Sequence, residues 1–479
     1  MVFCFNPQIV GLYTENVEKT VDNYVDKDVG KMLKNTKYQG ENVLVMGLAR
    51  SGMAAARILK ELGANVVIND GRAYEDNGDA KVMEAEGFEV ICGEHPTCLL
   101  DRGFELIIKN PGIPYKTTPL LLVAQERDIP IVCEVEIAYA ICEAPFIGIT
   151  ATNGKTTTTT LIHEMMQESG IKSKLAGNIG VVSSLVAKDA QADEVLVTEL
   201  SSFQLMGIED FRPHIALILN ITEAHLDYHT DIKEYRQAKL NLVKKQLDSD
   251  FFVYNADDAF IVSQLWQTVA MTIPFSQKKQ VDGAYLLEGE LFYQGEKIIN
   301  ECDILLKGEH NMQDVLGAVA VCKLYGVTNE AIVAVLCRFT GVKHRLQFVK
   351  DVNGVKYYNN SKATNVIATQ TALRAFEQPV ILLAGGLDRD HDLEPLAEDF
   401  QNIKGIFAFG QSKERFLDLA RKYEIHCEIF DSLEGAFEAA DGISEAGDVV
   451  LLAPACASWD QYVDFEERGD AFISMVEKL

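Results

Sequence analysis

Short apolar strands alternate with helical stretches along almost the whole of this chain. The clearest unit lies at residues 42–70 and reads N-V-L-V-M, then G-L-A-R-S-G, then a helical stretch, then N-V-V-I-N-D. Strand–helix–strand order builds a parallel sheet, because two parallel neighbours must be joined by a crossover connection. The same alternation resumes at Phe146 and again near Gly341. The pattern therefore predicts an α/β protein made of three domains in series.

The length of 479 residues agrees with three domains of ordinary size. The first residues lack a periodic pattern, so we expect an appendage there. The predicted boundaries are 1–40 for the appendage and 41–133, 134–341 and 342–479 for the three domains.

The composition limits the kinds of molecule that the protein is expected to bind. The chain has 44 basic and 71 acidic side chains, a formal charge of −27, and an acidic surface repels nucleic-acid phosphates. Any bound phosphate must therefore be held by local donors, cations or metal ions. The ten cysteines form no C-x-x-C pair, no apolar run approaches a membrane span, and the N-terminus lacks the plan of a signal peptide. We expect a cytoplasmic protein that binds neither nucleic acid nor membrane.

The segment Asn153-Gly154-Lys155-Thr156 follows an apolar strand and precedes a helical stretch. That context suits a phosphate loop, in which backbone N–H groups at a helix N-terminus face an anion. Lys155 would neutralise the β- and γ-phosphates, and the Thr156 hydroxyl is placed for Mg²⁺. The usual first glycine is missing, because Ile149 stands five residues before Gly154. A chance turn before a threonine-rich helix therefore remains the alternative to an ATP site.

A second glycine turn, from Gly47 to Gly52, follows the first predicted strand. The middle glycine of the dinucleotide fingerprint G-x-G-x-x-G is replaced here by Ala49, whose β-carbon limits the approach of a pyrophosphate. Asp70 ends the next strand, roughly where a carboxylate would reach a ribose hydroxyl, and Arg72 follows it. NAD is therefore disfavoured, and the choice stays between another nucleotide and a tight turn without a ligand.

Several other polar residues stand in the middle of the chain. Glu199 ends an apolar strand, His225 precedes His229 at helical spacing, and Lys239 lies on an amphipathic helix. Leu226 follows His225, which excludes the metalloprotease motif H-E-x-x-H. By spacing alone these residues could equally be a solvated strand end, a core histidine and a surface cation.

The order of the motifs along the chain adds a resemblance. From about Asn42 to the C-terminus the chain contains, in this order, G-K-T-T, A-G-N-I-G, T-E-L-S-S-F-Q-L, H-L-D, Y-R-Q-A-K, G-E-H-N, K-H-R, N-S-K-A-T-N and A-S-W-D-Q-Y-V-D-F-E-E-R-G-D. This series resembles the Mur ligases. The motif E-L-S-S-F-Q-L and the tryptophan-containing motif are most similar to the D-glutamate-adding branch of that family.

The resemblance implies an ADP-forming amide ligase of peptidoglycan synthesis. Its domains would be a Rossmann-like UDP-binding domain, a central P-loop-type ATPase domain, and a C-terminal Rossmann-like domain that binds D-glutamate and part of the nucleotide. ATP would activate UDP-N-acetylmuramoyl-L-alanine as an acyl phosphate, which the D-glutamate amine then attacks. Because phosphoryl transfer depends on positioning and charge neutralisation, two Mg²⁺ ions are expected. We also expect a monomer.

The resemblance implies roles for single residues as well. The ATP site would contain Asn153, Gly154, Lys155, Thr156, Thr157, Asn311, Arg345 and Asn360. The UDP-substrate site would contain Arg50, Ser51, Asp70, Arg72, Gly112 and Asn178. D-Glutamate would contact Lys362, Thr364, Ser458 and Phe465. The metal ligands would be Thr156, Glu199, His225 and a carbamylated Lys239, and the catalytic set would be Lys155, Glu199, His225 and Lys239.

Three positions depart from the family pattern. Ala151 stands where glycine is usual, Asp314 where H-N-x-x-N has its second asparagine, and Asn360 where aspartate is common. A positive φ at Ala151 would cost about 1 kcal/mol or more, whereas a negative φ would cost little. The alternatives to a D-glutamate ligase are a sibling Mur or folylpolyglutamate-type ligase and a degenerate homologue that binds UDP-sugar without catalysis.

Overall fold

The computed structural model describes residues 37–179, 181–224, 228–306, 308–389 and 391–479, without the side chains of Glu309 and His310. The contacts form two compact units, which divide between Phe339 and Thr340. The first unit contains two sheets and the second contains one. Most of the expected appendage, residues 1–36, lies outside the described residues.

The first sheet consists of the strands β1 (Asn42–Met46), β2 (Asn65–Asp70), β3 (Glu89–Cys92), β4 (Leu106–Lys109) and β5 (Ile131–Val132). Its helices are α1 (Arg50–Glu61), α2 (Gly78–Ala85) and α3 (Pro119–Glu126), and α4 (Glu134–Ile141) leads towards the second sheet. All strands are parallel, in the order β3-β2-β1-β4-β5. The strand order reverses at β1, so the turns after β1 and β4 lie side by side. Open parallel sheets bind their ligands at such a point.

The second sheet begins with β6 (Phe146–Thr150), β7 (Ser173–Gly177), β8 (Val195–Glu199), β9 (Ile215–Ile218), β10 (Phe251–Asn255) and β11 (Met271–Ser276). It ends in β12 (Ala284–Leu287), β13 (Glu290–Tyr293) and β14 (Glu296–Asn300). The order is β14-β13-β12-β11-β10-β9-β6-β8-β7. The pairs β12–β13 and β13–β14 are antiparallel, and the other pairs are parallel. Strand β6 is buried along its whole length, because helices cover both faces of a parallel sheet.

The helices of this sheet are α5 (Lys155–Glu168), α6 (Ser183–Lys188), α7 (Ser202–Leu205), α8 (Ile232–Leu240), α9 (Ala259–Ser263), α10 (Glu309–Leu324) and α11 (Asn329–Leu336). Strand β6 lies between β8 and β9, and the predicted phosphate loop follows it. This second switch point therefore collects the chain segments that leave β6, β8 and β9.

The second unit has the strands β15 (Gln347–Val352), β16 (Val355–Asn359), β17 (Val380–Gly385), β18 (Ile403–Phe409), β19 (Cys427–Phe430) and β20 (Val449–Leu452). Its helices are α12 (Val366–Leu373), α13 (Lys413–Lys422), α14 (Leu433–Ile443) and α15 (Phe465–Glu477). The order is β15-β16-β20-β17-β18-β19, and β15 is antiparallel to its neighbour. Alternate residues of β17 enter two separate apolar cores, so both faces of this sheet are covered.

The three sheets confirm the predicted α/β fold class, while the domain boundaries stay predictions. In the part of the chain that the structure describes, no helix combines the length and the apolar character that crossing a bilayer requires. Every cysteine in the same part carries a free thiol.

Candidate active site

The phosphate loop joins β6 to α5. Gly154 has a φ of 87°, a left-handed conformation that favours glycine. A β-carbon at Gly154 would also lie 2.0 Å from Oδ1 of Asp314. The backbone conformation therefore favours glycine here, and any β-carbon would also displace the side chain of Asp314. A helix N-terminus presents N–H groups and a partial positive charge, so the start of α5 suits an anion.

Ala151 stands where glycine is usual, but its backbone does not adopt the left-handed conformation that would strain alanine. It is not among the described residues with a positive φ, so the backbone cost does not arise. The side chain is fully buried. The carbonyl oxygen accepts hydrogen bonds from Nζ of Lys155 and Nζ of Lys239, each at 2.8 Å. Alanine is thus compatible with the loop, and two predicted catalytic lysines meet at its backbone.

Glu199 lies at the end of β8 and is 2% exposed. The hydroxyl of Thr156 donates to Oε2 at 2.7 Å, and the amide of Asn178 donates to Oε1 at 2.9 Å. Asn178 follows β7, the neighbour of β8, and a β-carbon at Gly177 would lie 2.2 Å from the carbonyl oxygen of Glu199. The structure therefore brings together residues assigned to ATP, to metal and to the UDP-substrate. A buried carboxylate beside a hydroxyl is an oxygen donor set of the kind that Mg²⁺ takes.

Lys239 projects from α8 towards the phosphate loop and is 1% exposed. Besides the carbonyl of Ala151, its Nζ lies 3.4 Å from Oγ1 of Thr150. Burial and the nearby charge of Lys155 lower the pKa of Lys239 to about 6, although Glu199 acts in the opposite direction. The amine is therefore largely uncharged at neutral pH. An uncharged amine is nucleophilic, which is the state that carbamylation by carbon dioxide requires.

Two residues that hold the loop were not found by the sequence argument. Asn220, just after β9, accepts from the backbone N–H of Asn153 at 3.0 Å and donates to its carbonyl at 3.2 Å. The hydroxyl of Tyr235 lies 2.9 Å from that of Thr152. A polar residue directly after the apolar run I-A-L-I-L could have indicated Asn220. Nothing in the spacing of Tyr235 distinguishes it from other helix residues.

Two other residues predicted for the ATP site lie in the first turn of a helix. Thr157 lies in the first turn of α5 and Asn311 in the first turn of α10. His225 lies outside the described residues. His229 is fully buried, and its ring lies 2.9 Å from the hydroxyl of Ser202, so it belongs to the core. The described side chains contain no group of three or more His, Cys, Asp and Glu residues that could hold a metal ion.

In the first sheet, Asp70 ends β2 and Arg72 follows it, and the carboxylate of Asp70 reaches the neighbouring turn after β1. The carboxylate of Asp70 accepts from the N–H of Leu48 at 2.6 Å, Nε of Arg72 at 3.1 Å and the amide of Asn77 at 3.1 Å. Burial alone would raise the pKa of Asp70, but the bonds from Arg72 and Leu48 lower it. Asp70 therefore stays ionised and organises the turn.

Asn110 connects two other predicted residues of the UDP-substrate site. Its amide donates to the hydroxyl of Ser51 at 3.2 Å, and its Oδ1 accepts from the N–H of Gly112 at 3.0 Å. Arg50 begins α1 and is exposed. The carboxyl ends of β1, β2 and β4 thus gather five of the predicted substrate residues. Asn110 itself was missed, although it follows an apolar strand and precedes a proline.

In the second unit, Ser458 is 2% exposed, and its hydroxyl has no hydrogen-bond partner among the described atoms. Nζ of Lys362 lies 5.7 Å from the ring centroid of Phe465, and the N–H of Thr364 donates to the carbonyl of Lys362 at 2.9 Å. A buried hydroxyl without a partner is costly, so Ser458 suits a polar ligand.

Arg468 is a fully buried cation of this unit and was not predicted. Its guanidinium donates to the hydroxyl of Ser361 at 3.0 Å and to the carbonyl of Cys456 at 3.1 Å. Burial lowers its pKa to about 10, so it remains charged. Arg468 thereby joins the segments that carry Lys362 and Ser458.

The two nucleotide residues predicted in this unit lie near β16. The N–H of Leu346 donates to Oδ1 of Asn360 at 3.0 Å, so the side chain of Asn360 supports the turn that contains Arg345. The departure at Asn360 therefore has a structural role. Asp314, another departure from the pattern, lies in the first unit, and its carboxyl group is next to Gly154 of the same unit.

Comparison with known proteins matches three segments of the chain to Mur ligase domains. Residues 41–133 match the Mur ligase MurD-like N-terminal domain, residues 149–322 the Mur ligase middle domain, and residues 344–456 the glutamate ligase domain of the Mur ligases. Together these segments cover more than half of the chain.

Curated relatives match over nearly their whole length. UDP-N-acetylmuramoylalanine--D-glutamate ligase of Bacillus mycoides strain KBAB4 is 52% identical over 446 residues, which are 93% of this chain and 99% of that protein. The enzyme of the same name from Bacillus cereus strain G9842 is 51% identical over the same lengths. The crystal structure of a UDP-N-acetylmuramate-alanine ligase from Thermotoga maritima is 18% identical, covers 91% of this chain and 99% of its own, and has a TM-score of 0.50. That likeness supports the fold alone. With its domain matches and its relatives of more than half identity, the chain belongs to the Mur ligase family.

Proposed function

We propose that this protein is an ATP-dependent ligase that joins D-glutamate to UDP-N-acetylmuramoyl-L-alanine, with release of ADP and phosphate, in peptidoglycan synthesis. The observation that carries the proposal is the identity of 51–52% to relatives of that name, over 99% of their length. The geometry of the site supports the same chemistry.

A carboxylate does not react with an amine, because its oxygen is a poor leaving group. Transfer of the γ-phosphoryl group of ATP to the L-alanine carboxylate would give an acyl phosphate. The amine of D-glutamate then attacks the carbonyl carbon, and phosphate leaves as the amide bond forms. The phosphate loop suits the first step, since Lys155 and the N-terminus of α5 carry positive charge at one place.

Metal ions would neutralise the phosphate charge at this site. Thr156 and Glu199 fit the first Mg²⁺, because a hydroxyl and a buried carboxylate already lie 2.7 Å apart. We assign the second Mg²⁺ to His225 and to Lys239 as a carbamate. The depressed pKa of Lys239, about 6, supports that assignment, because a protonated lysine could not be carbamylated.

The UDP-substrate is assigned to Arg50, Ser51, Asp70, Arg72, Gly112 and Asn178. Asn178 is hydrogen-bonded to Glu199, so a substrate contact there would connect the sugar peptide with the phosphate centre. D-Glutamate is assigned to Lys362, Thr364, Ser458 and Phe465. The unpartnered hydroxyl of Ser458 supports this assignment, because a carboxylate ligand would accept its hydrogen bond.

Two alternatives are weakened by separate observations. A folylpolyglutamate-type ligase lacks the N-terminal UDP domain, whereas residues 41–133 match a MurD-like N-terminal domain. A degenerate, non-catalytic homologue was suggested by Ala151, whose backbone is free of the positive φ that alanine disfavours. We also propose that the protein acts in the cytoplasm, where ATP and UDP-linked sugars occur, and that it acts as a monomer.

A phosphate-release assay tests the proposal. Purified protein with ATP, Mg²⁺ and UDP-N-acetylmuramoyl-L-alanine should release phosphate when D-glutamate is added, and should not do so with L-glutamate or L-lysine. With ¹⁸O in the L-alanine carboxylate, the label should appear in the released phosphate. Release with L-lysine alone, or phosphate without label, would refute the proposed reaction.

A further inference from the structure

Lys109 is a buried lysine to which the proposed reaction gives no role. It ends β4 and is 0% exposed, yet no described carboxylate pairs with it. We call residues 110–114, N-P-G-I-P, the substrate loop, because Gly112 lies in it. Nζ of Lys109 donates to three carbonyl oxygens of this loop, those of Asn110 at 3.1 Å, Pro111 at 3.3 Å and Ile113 at 2.8 Å.

Tyr228, which lies in the connection between β9 and α8, completes this cluster. The hydroxyl of Tyr228 lies 3.1 Å from Nζ of Lys109, 2.8 Å from the carbonyl oxygen of Pro111 and 3.0 Å from that of Ile113. The ring of Tyr228 packs on Phe203, with the two ring centroids 4.1 Å apart. Tyr228 follows His225 by three residues. One polar cluster therefore joins the substrate loop to Tyr228, which stands three residues after the proposed metal ligand in the sequence.

We infer that Lys109 and Tyr228 are positioning residues, which set the substrate loop at a fixed distance from the phosphate loop. The inference rests on the proposed function. The UDP group would be held at the first sheet while the peptide carboxylate of the same substrate reacts at the second. Any movement of the substrate loop relative to the phosphate loop would therefore displace the reacting carbonyl. A displacement of about 1 Å at a reacting centre can cost about a hundredfold in rate.

The contacts of the cluster fix the position of the substrate loop more than they join the two sheets. A buried lysine that bonds only to carbonyl oxygens and a hydroxyl imposes geometry on the backbone, because each donor direction is used. Burial lowers the pKa of Lys109, so its charged form is less favoured in the folded protein than in water. Other contacts already join the two sheets, including the bond of 2.7 Å from the N–H of Cys133 to the carbonyl of Gly207.

The test compares Tyr228→Phe and Lys109→Met with Tyr285→Phe. The first exchange removes one hydroxyl and keeps the ring on Phe203, and the second keeps the apolar length of lysine. Tyr285 is a buried tyrosine of β12 in the second sheet, and it serves as the matched control. Kinetics are measured in the full-length protein with UDP-N-acetylmuramoyl-L-alanine and ATP varied separately, and binding of ATP is measured directly.

Tyr228→Phe should lower kcat/KM for the UDP-substrate about tenfold, and Lys109→Met should lower it about a hundredfold, because each loosens the substrate loop. The affinity for ATP should change less than about twofold, since no hydrogen bond among the described residues joins the phosphate loop directly to Lys109 or Tyr228. The double variant should be no worse than Lys109→Met, because both residues act through one loop. Tyr285→Phe should match the wild type.

Wild-type kinetics in Tyr228→Phe would overturn the positioning role, even if Lys109→Met failed to fold. Equal losses of kcat/KM for the UDP-substrate and of ATP affinity would also overturn it, because they indicate general destabilisation. Multiplying effects in the double variant would show that the two residues act separately. A wild-type protein without D-glutamate-dependent phosphate release would instead refute the proposed function.

Discussion

Lys239 and Glu134 are buried ionisable residues whose charged forms are disfavoured, and they have different consequences. The pKa of Lys239 falls to about 6 mainly through burial, and the amine lies against the carbonyl of Ala151 in the phosphate loop. The pKa of Glu134 rises to about 7 through burial, and its carboxyl group accepts from the N–H of Ser184 at the start of α6. The first bears on catalysis and the second on the pH dependence of folding.

Exchange of Lys239 tests whether an oxygen ligand is needed at this position. We expect Lys239→Met to lower phosphate release at least about a hundredfold, because a metal ligand would be lost. Lys239→Glu should keep a measurable fraction of activity, since its carboxylate oxygens take the place of a carbamate. Lys172→Met, at an exposed ion pair with Asp193, is the control and should keep full activity. An active Lys239→Met protein would exclude the carbamate.

Glu134 should make the protein less stable as the pH rises from about 5 to 7. In this range the folded state binds more protons at Glu134 than the unfolded state does, so the free energy of unfolding falls with pH. Glu134→Gln cannot titrate and should flatten this part of the curve by about 1–3 kcal/mol. Urea unfolding at several pH values measures the difference. Parallel curves for both proteins would contradict the expectation.

At the scale of elements, glycines decide how closely helices approach strands. A β-carbon at Gly52, in α1, would lie 2.0 Å from the carbonyl oxygen of Gly47. The helix would therefore have to move away from the turn that leads out of β1. Gly154, in the phosphate loop, has its β-carbon position occupied by the side chain of Asp314 from α10. In both turns the glycine pattern that the sequence displays has a steric cause.

The exchange Gly52→Ala should destabilise the protein by about 1–3 kcal/mol, because the added methyl group overpacks the contact between α1 and β1. It should also weaken binding of the UDP-substrate, whose predicted residue Ser51 lies next to it. Gly78→Ala is the matched control at the start of α2, where nothing lies within 4 Å of the new β-carbon. That variant should be at least as stable as the wild type, because alanine has a higher helix propensity than glycine. Thermal unfolding and calorimetric titration distinguish the two outcomes.

At the scale of the whole molecule, the second unit has what an independent domain needs. Its sheet of six strands is covered on both faces by separate apolar cores. Its 140 residues, from Thr340 to Leu479, are also of ordinary domain size.

Residues 340–479, expressed alone, should therefore fold. We expect a helical and sheet-containing circular dichroism spectrum and a single cooperative unfolding transition, because the cores lie within the fragment. The fragment should not hydrolyse ATP, since the phosphate loop belongs to the other unit. A spectrum of an unfolded chain would show that the fragment depends on the first unit.

Local patterns were sufficient for the α/β class, for the two glycine turns and for the placement of Glu199 at a strand end. These features depend on neighbours in the chain: apolar runs form buried strands, and glycine marks turns where a β-carbon cannot fit. The motif order added the family and, with it, the assignment of residues whose spacing is uninformative, such as Lys239.

Other features depend on residues far apart in the chain. The bond from Asn178 to Glu199, the loss of charge on Lys239 and the cluster of Lys109 with Tyr228 arise only when strands and helices pack. The backbone angle of Ala151, which makes alanine compatible with the phosphate loop, is likewise visible only in the folded chain. Burial, distance and desolvation are properties of the folded molecule, and no linear pattern specifies them.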